Sequence, residues 1–304
     1  MKQHKLSGTG VALITPFRNG IVDYPALQQV IEHVILGGVD FVVSLGTTGE
    51  AVTMSTKECR KVLDFTIEKI EGRVPIVAGL FGGNYTAKLV RSIKEYGFDG
   101  VDAIMSSSPA YSKPPQEGIY QHYMAVAEAS PVPIIIYNVP GRTGSNVLPK
   151  TVLRLAHASE QFIAIKEASG DLIQGMQILK NRPEHLLVLS GDDPLCLSLT
   201  ACGGDGVISV IANAYPAEFS DMIRSARNGD FKAAQAINLA LLDVHPWLYI
   251  EGNPVGIKAA MEIMGLCRRE VRIPLTPLSK EPYQRLVQEM EKASQLLLNN
   301  PVSR

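Results

Sequence analysis

Eight short apolar runs alternate with longer amphipathic stretches between residues 10 and 210, and few folds accommodate such a chain. The runs lie at 10–15, 41–45, 74–78, 100–105, 134–137, 162–166, 186–189 and 206–210. The run at 162–166 is apolar up to its terminal lysine rather than at alternate positions, which suits an interior strand of a parallel sheet covered on both faces. Helical spacing fills 24–36, 56–70, 86–96, 116–129, 148–158 and 171–179, and Ser55 with Glu58 three residues on forms a capping-box start for the second of these. Strand ends recur roughly every 20 to 34 residues, the length of one βα unit, and eight such units close a barrel. The rival arrangement is a doubly wound open sheet. It fits less well, because no GxGxxG turn follows the first strand and eight units leave no remainder. The expected fold is therefore α/β: a (β/α)8 TIM barrel over residues 1–228 with a C-terminal helical extension over 229–304. In that extension, helical patterns at 231–242, 253–265 and 282–298 flank a proline-rich connector at 272–278, while the pattern at 216–228 completes the barrel.

Charge narrows the function. Lys and Arg number 29 against 30 Asp and Glu, a net charge of −1, so there is no electrostatic footprint for nucleic acid or an anionic membrane. No apolar run approaches the roughly 20 residues of a membrane span, and residues 1–5 lead into a glycine-containing strand rather than a signal peptide's apolar core. The expected location is the cytoplasm. Cys59, Cys196, Cys202 and Cys267 lack CxxC or zinc-ligand spacing, so they read as free thiols, and neither a metal nor another cofactor is expected.

In a barrel of this kind the loops after the strands build the site. The sixth run ends in Lys166. An ammonium taken out of water favours its neutral form, and a neutral amine attacks a carbonyl carbon to give a Schiff base. The plainer alternative is a lysine that reaches solvent or pairs with Glu167. Three other strand ends bear on the choice. The second runs into Gly46-Thr47-Thr48-Gly49-Glu50, two hydroxyls in a turn whose N–H groups suit a carboxylate. The fourth leads to Tyr111, and the fifth ends in Tyr137-Asn138-Val139-Pro140-Gly141-Arg142-Thr143-Gly144. A phenol polarised by a hydroxyl and a second phenol shuttles the protons that Schiff-base chemistry requires, and Arg142 suits a second acidic group.

These segments, with Lys166-Glu167-Ala168-Ser169-Gly170-Asp171 and Ser190-Gly191-Asp192-Asp193, closely resemble the dihydrodipicolinate synthase and N-acetylneuraminate lyase family of pyruvate-dependent barrel enzymes, over nearly the whole chain. The resemblance implies Lys166 as the Schiff-base lysine and Tyr137 as proton relay and substrate clamp. It implies Thr48 as the link from Tyr137 to Tyr111, and Thr47 with Thr48 on the pyruvate carboxylate. Gly191 and Ile208 match positions lining the pyruvate pocket. The position of Tyr111 reaches a neighbouring subunit's site in the family, which implies a homo-oligomer, at least a dimer and usually a tetramer. Gly141-Arg142-Thr143 matches the branch that condenses pyruvate with L-aspartate 4-semialdehyde in lysine and diaminopimelate synthesis. The alternatives are an N-acetylneuraminate lyase or another sugar-acid aldolase or dehydratase of the same family, and a barrel kept only to bind a ligand or partner. Many family members are inhibited by lysine at a subunit interface. Here Cys59, Lys88 and Ala110 depart from that pattern and Asn84 keeps it, so insensitivity to lysine is expected.

Overall fold

The computed structural model describes residues 5–299. Eight aliphatic strands carry the fold: β1 (Gly8–Ala12), β2 (Phe41–Ser44), β3 (Ile76–Ala78), β4 (Ala103–Ser107), β5 (Ile134–Asn138), β6 (Phe162–Glu167), β7 (Leu187–Ser190) and β8 (Gly206–Ser209). All are parallel, each beside its successor, and β1 pairs with both β2 and β8, so the sheet closes on itself as the sequence suggests. Closure brings two backbones close: a Cβ on Gly206 would stand 1.9 Å from the Gly8 carbonyl oxygen, so only glycine fits there.

The barrel helices follow their strands: α1 (Tyr24–Leu36), α2 (Thr56–Ile70), α3 (Thr86–Glu95), α4 (Gln116–Ala129), α5 (Pro149–Ala158), α6 (Leu172–Asn181), α7 (Cys196–Ala201) and α8 (Pro216–Arg227). The Ser55 capping box forms as expected, with the Ser55 hydroxyl accepting from the Glu58 N–H and the Glu58 carboxylate accepting from the Ser55 N–H. Two elements escape a reading by periodicity. A hairpin, Phe17–Arg18 with Ile21–Val22, turns at Asn19-Gly20, whose positive φ angles of 53° and 77° are those an Asn-Gly turn adopts. Its strands are too short to alternate. Helix α7 is under two turns, too short for a 3.6-residue stripe.

Strand limits moved for local reasons. The first strand begins at Gly8 because Gly8 and Thr9 pair with Gly206 and Val207, and it ends before Ile14, whose N–H is taken by the Asn213 side chain. β4 begins at Ala103 because Gly100, at φ 78°, turns the chain. Three aspartates at strand starts fasten the entry rim. Asp40, Asp102 and Asp205 accept the N–H of Thr9, Ile76 and Val188 respectively, each on or at the start of a neighbouring strand, at 2.7–2.9 Å.

Two apolar layers result. Inward side chains, Phe41, Val43, Val77, Met105, Ile135, Leu189 and Ile208 among them, fill the barrel, while the larger core lies between strands and helices. The extension comprises α9 (Phe231–Leu241), α10 (His245–Tyr249), α11 (Val255–Ile263) and α12 (Lys280–Asn299). Its Leu286 and Met290 join the strand–helix core. One deeper tie reaches the barrel mouth. Lys258 of α11 is 0% exposed and forms an ion pair with Glu50, itself 1% exposed, at the end of the Gly46–Glu50 turn. The same ammonium donates to the Glu270 carbonyl at 2.8 Å and lies 4.1 Å from the Phe17 ring centre, while the Arg272 N–H donates to Glu50 at 3.1 Å.

Candidate active site

The β5–β6 register decides which side chains meet. Tyr137 pairs with Lys166 and Asn138 with Glu167, so the first pair points to one face of the sheet and the second to the other. On the outer face Glu167 is fully engaged: its carboxylate accepts from the Asn138 amide at 3.0 and 3.2 Å, the Gln174 amide at 2.9 Å and the Ser169 N–H at 2.8 Å. The alternative in which Lys166 pairs with Glu167 is excluded by this geometry. On the inner face Lys166 is only 5% exposed, and its Nζ lies 4.6 Å from the Tyr137 ring centre. The other plain reading, a lysine reaching solvent, fails with it.

Above these two residues, at the C-terminal ends of the strands, opens a cavity of about 480 Å³. Lys166, Tyr137, Thr48, Arg142, Asp192 and Asn253 supply its polar wall, and Gly191 adjoins the lysine. Space for the amine depends on Gly191. A Cβ there would stand 3.0 Å from both Cγ and Cε of Lys166 and 2.6 Å from the Ala168 Cβ. Arg142 comes from a one-turn helix, Pro140–Thr143, that follows β5 and closes on Gly144 at φ 70°.

The turn after β2 places Thr48 at the cavity wall. The Gly49 and Glu50 N–H groups are spent inside it, on the carbonyls of Gly46 and Thr47. Thr48 is buried, and its Oγ1 accepts a 3.0 Å hydrogen bond from the Asn253 side-chain amide. With that lone pair occupied, the hydroxyl proton is left to donate into the cavity.

Not every residue named from the sequence gathers here. Thr47 is half-buried and lies outside the cavity wall. Ile208 is fully buried in the barrel packing with Tyr137 and Leu189 and is not among the residues that line the cavity. Tyr111 is 93% exposed, at φ 68°, with its N–H held by the Thr143 carbonyl at 2.9 Å. Within one chain its ring takes no part in the cavity.

Several wall residues were given no role by the sequence, although Val139 and Ala168 stand inside motifs it singled out. Asn253 and Tyr249 come from the extension, and Val139, Ala168, Pro194 and Val210 are apolar loop positions. Asp193 is buried and structural: its Oδ2 accepts the Val210 and Ile211 N–H groups, both at 2.9 Å, and the Tyr249 hydroxyl at 3.5 Å. Burial, with Asp193 adding to it, holds the Tyr249 phenol well above its ordinary range. Burial and then Asp193 also raise the Asp192 carboxyl.

A closed parallel barrel with one buried amine beside a phenol and a hydroxyl, at the C-terminal strand ends, is the framework of an enzyme that works on carbonyl compounds through a lysine. The chain belongs to the dihydrodipicolinate synthetase family, whose model matches residues 5–293. A 4-hydroxy-tetrahydrodipicolinate synthase of Cytophaga hutchinsonii is 46% identical over 298 residues, 98% of this chain and 100% of that protein. Among solved structures, the dihydrodipicolinate synthase of Aquifex aeolicus superposes with a TM-score of 0.91 at 39% identity, covering 98% of this chain and 100% of that one. The chloride-inhibited dihydrodipicolinate synthase of Acinetobacter baumannii, complexed with pyruvate, gives 0.91 at 38% identity, with 95% and 99% covered.

Proposed function

We propose that this chain is a lyase that condenses pyruvate with L-aspartate 4-semialdehyde to 4-hydroxy-tetrahydrodipicolinate, the reaction for which its relatives are named. The observation that carries the reading is Lys166, buried at the C-terminal end of β6 with its Nζ in the cavity beside Tyr137. The Lys166 amine attacks the pyruvate keto carbon, and the carbinolamine loses water to give the Schiff base. Loss of a methyl proton then gives an enamine, whose carbon attacks the aldehyde carbon of the second substrate. The amino group of that substrate next attacks the Schiff-base carbon, closing the ring and expelling Lys166.

Tyr137 is the group placed to carry protons through these steps, with the Thr48 hydroxyl available to polarise it. Thr48, with Thr47, suits the pyruvate carboxylate, Arg142 the carboxylate of the aldehyde, and Gly191 with Ile208 shapes the pyruvate end. No metal or other cofactor is needed in this scheme. We read residues 1–228 as the barrel and 229–304 as the extension, of which 1–4 and 300–304 lie outside the described residues.

The exposed Tyr111 ring supports an oligomer in which it enters a neighbouring copy's site, at least a dimer. Among the described residues no helix is long and apolar enough to cross a membrane, in keeping with a cytoplasmic biosynthetic enzyme. Borohydride reduction with pyruvate present, read by intact mass, tests the chemistry. One reduced pyruvyl group adds to the wild-type chain, and an adduct that persists in Lys166→Ala refutes the assignment.

A further inference from the structure

Behind Lys166 and Tyr137, on the outer face of the sheet, lies a second polar group of side chains that the proposed chemistry does not use. Its centre is Glu167, buried and outside the cavity wall. The carboxylate is held only by neutral N–H donors, from Asn138, Gln174 and Ser169, and enters none of the ion pairs found among the described residues. A buried carboxylate without a cation is an expensive way to join elements that an apolar side chain could also join.

Its donors are themselves fixed. Asn138 donates also to Asn146 Oδ1 at 2.8 Å and accepts the Val147 N–H at 2.9 Å, while Gln174 and Asn146 exchange two hydrogen bonds, at 2.9 and 3.2 Å. One carboxylate thereby ties β6 to β5, to α6 and to the loop leading to α5. The main chain carries the tie through to the cavity side. The Glu167 carbonyl accepts the Gly191 N–H at 2.7 Å, and the Asn138 carbonyl accepts the Ala168 N–H at 2.9 Å. Gly191 borders the stem of Lys166, which immediately precedes Glu167 in the chain.

We propose that Glu167 is the positioning residue for the reactive amine: its carboxylate locks β6 against β5 and α6, so that Lys166 meets Tyr137 and Gly191 in one fixed arrangement. This rests on the proposed role of Lys166 as the Schiff-base lysine. Glutamine in its place fills the same volume but keeps one acceptor oxygen and turns an NH2 group toward donors, so the lock loosens while the packing stays.

The test is borohydride trapping at timed intervals at saturating pyruvate, with the rate expressed per reacting chain. In Glu167→Gln that rate falls by about tenfold or more, the scale for a misplaced reacting atom, while the pyruvate concentration giving half of it is unchanged. A merely structural role lowers the melting temperature and the fraction of chains that react, and leaves the rate per reacting chain alone. Adding Asn138→Asp returns a carboxylate to face the new amide, and the amides of Gln174 and Asn146 can each turn over to match, so the double variant reacts faster than Glu167→Gln. An unchanged rate per reacting chain in Glu167→Gln, or a folded double variant no faster than it, overturns the proposal. Should Glu167→Gln not fold, Gln174→Leu, which removes one of the carboxylate's donors, takes its place, and an unchanged rate there overturns the proposal. Absence of any adduct in the wild-type chain instead overturns the role proposed for Lys166.

Discussion

Replacing Gly191 by alanine tests whether the space beside Lys166 matters as much as the lysine itself. The added methyl would sit 2.6 Å from the Ala168 Cβ and 3.0 Å from Lys166 Cγ and Cε. Ordinary carbon contacts begin near 3.4 Å, so the lysine stem must yield by about 0.4 Å and Ala168 by more. Ala168 cannot swing aside, because it has no χ angle and its N–H is tied to the Asn138 carbonyl at 2.9 Å. The Gly191 N–H is likewise fixed, at 2.7 Å from the Glu167 carbonyl. The strain therefore falls largely on Lys166. Overpacking of this kind costs about 1–3 kcal/mol of stability. Displacing a reacting atom by a large fraction of an ångström costs on the order of 10- to 100-fold in rate. The expected result is a folded protein whose pyruvate adduct, trapped by borohydride at timed intervals, forms about 10- to 100-fold more slowly. Adduct formation within about twofold of wild type would show that the site absorbs the methyl and that the packing argument is wrong.

Other expectations reach different parts of the molecule. Tyr137→Phe keeps the pyruvate cavity's shape but lowers turnover by about 100-fold or more, the scale for a positioned proton-transfer group; near-normal steady-state rates remove Tyr137 from the mechanism. Lys88 is exposed and Cys59 buried, where the resemblance calls for glutamate and histidine to hold a bound lysine, so activity at sub-saturating pyruvate is unaffected by millimolar L-lysine. Half-inhibition below about 1 mM contradicts that expectation. Burial pushes the His122 imidazole down to about 4 from its ordinary 6.5. The unfolded chain thus takes a proton that the folded one refuses, so stability present above pH 6.5 is lost as pH falls toward 4, by about 3 kcal/mol at most. Thermal melts across that range show the slope in wild type and a shallower one in His122→Leu; equal slopes refute it.

The barrel was legible because each strand is apolar on both faces and each helix has its stripe, and because Lys166, Tyr137 and Arg142 all lie at or just past strand ends. Thr48 was legible as a hydroxyl in a glycine turn. Its fixed orientation was not, since the amide that holds it is Asn253, in an irregular stretch far along the chain between α10 and α11. Asp192 stood in a recognisable motif, but only the fold shows that it faces the cavity while its neighbour Asp193 is turned inward to cap the Val210 and Ile211 N–H groups. Tyr111 is the opposite case. Sequence resemblance gives it a role that one chain's geometry cannot express, because a ring 93% exposed has nothing of its own chain to act on.

The Glu50–Lys258 pair sets an order of events during synthesis. The Gly46–Glu50 turn leaves the ribosome early, whereas the only ammonium that pairs with its buried carboxylate among the described residues is carried by α11, near the end of the chain. Until α11 is made, Glu50 has no counter-charge and must stay hydrated, so the turn bearing Thr48 cannot settle into its final place. Asn253, which fixes the Thr48 hydroxyl, arrives only a few residues before Lys258. A nascent barrel with all eight strands and Lys166 in place would therefore still be an unarmed one, and competence arrives with the last quarter of the polypeptide.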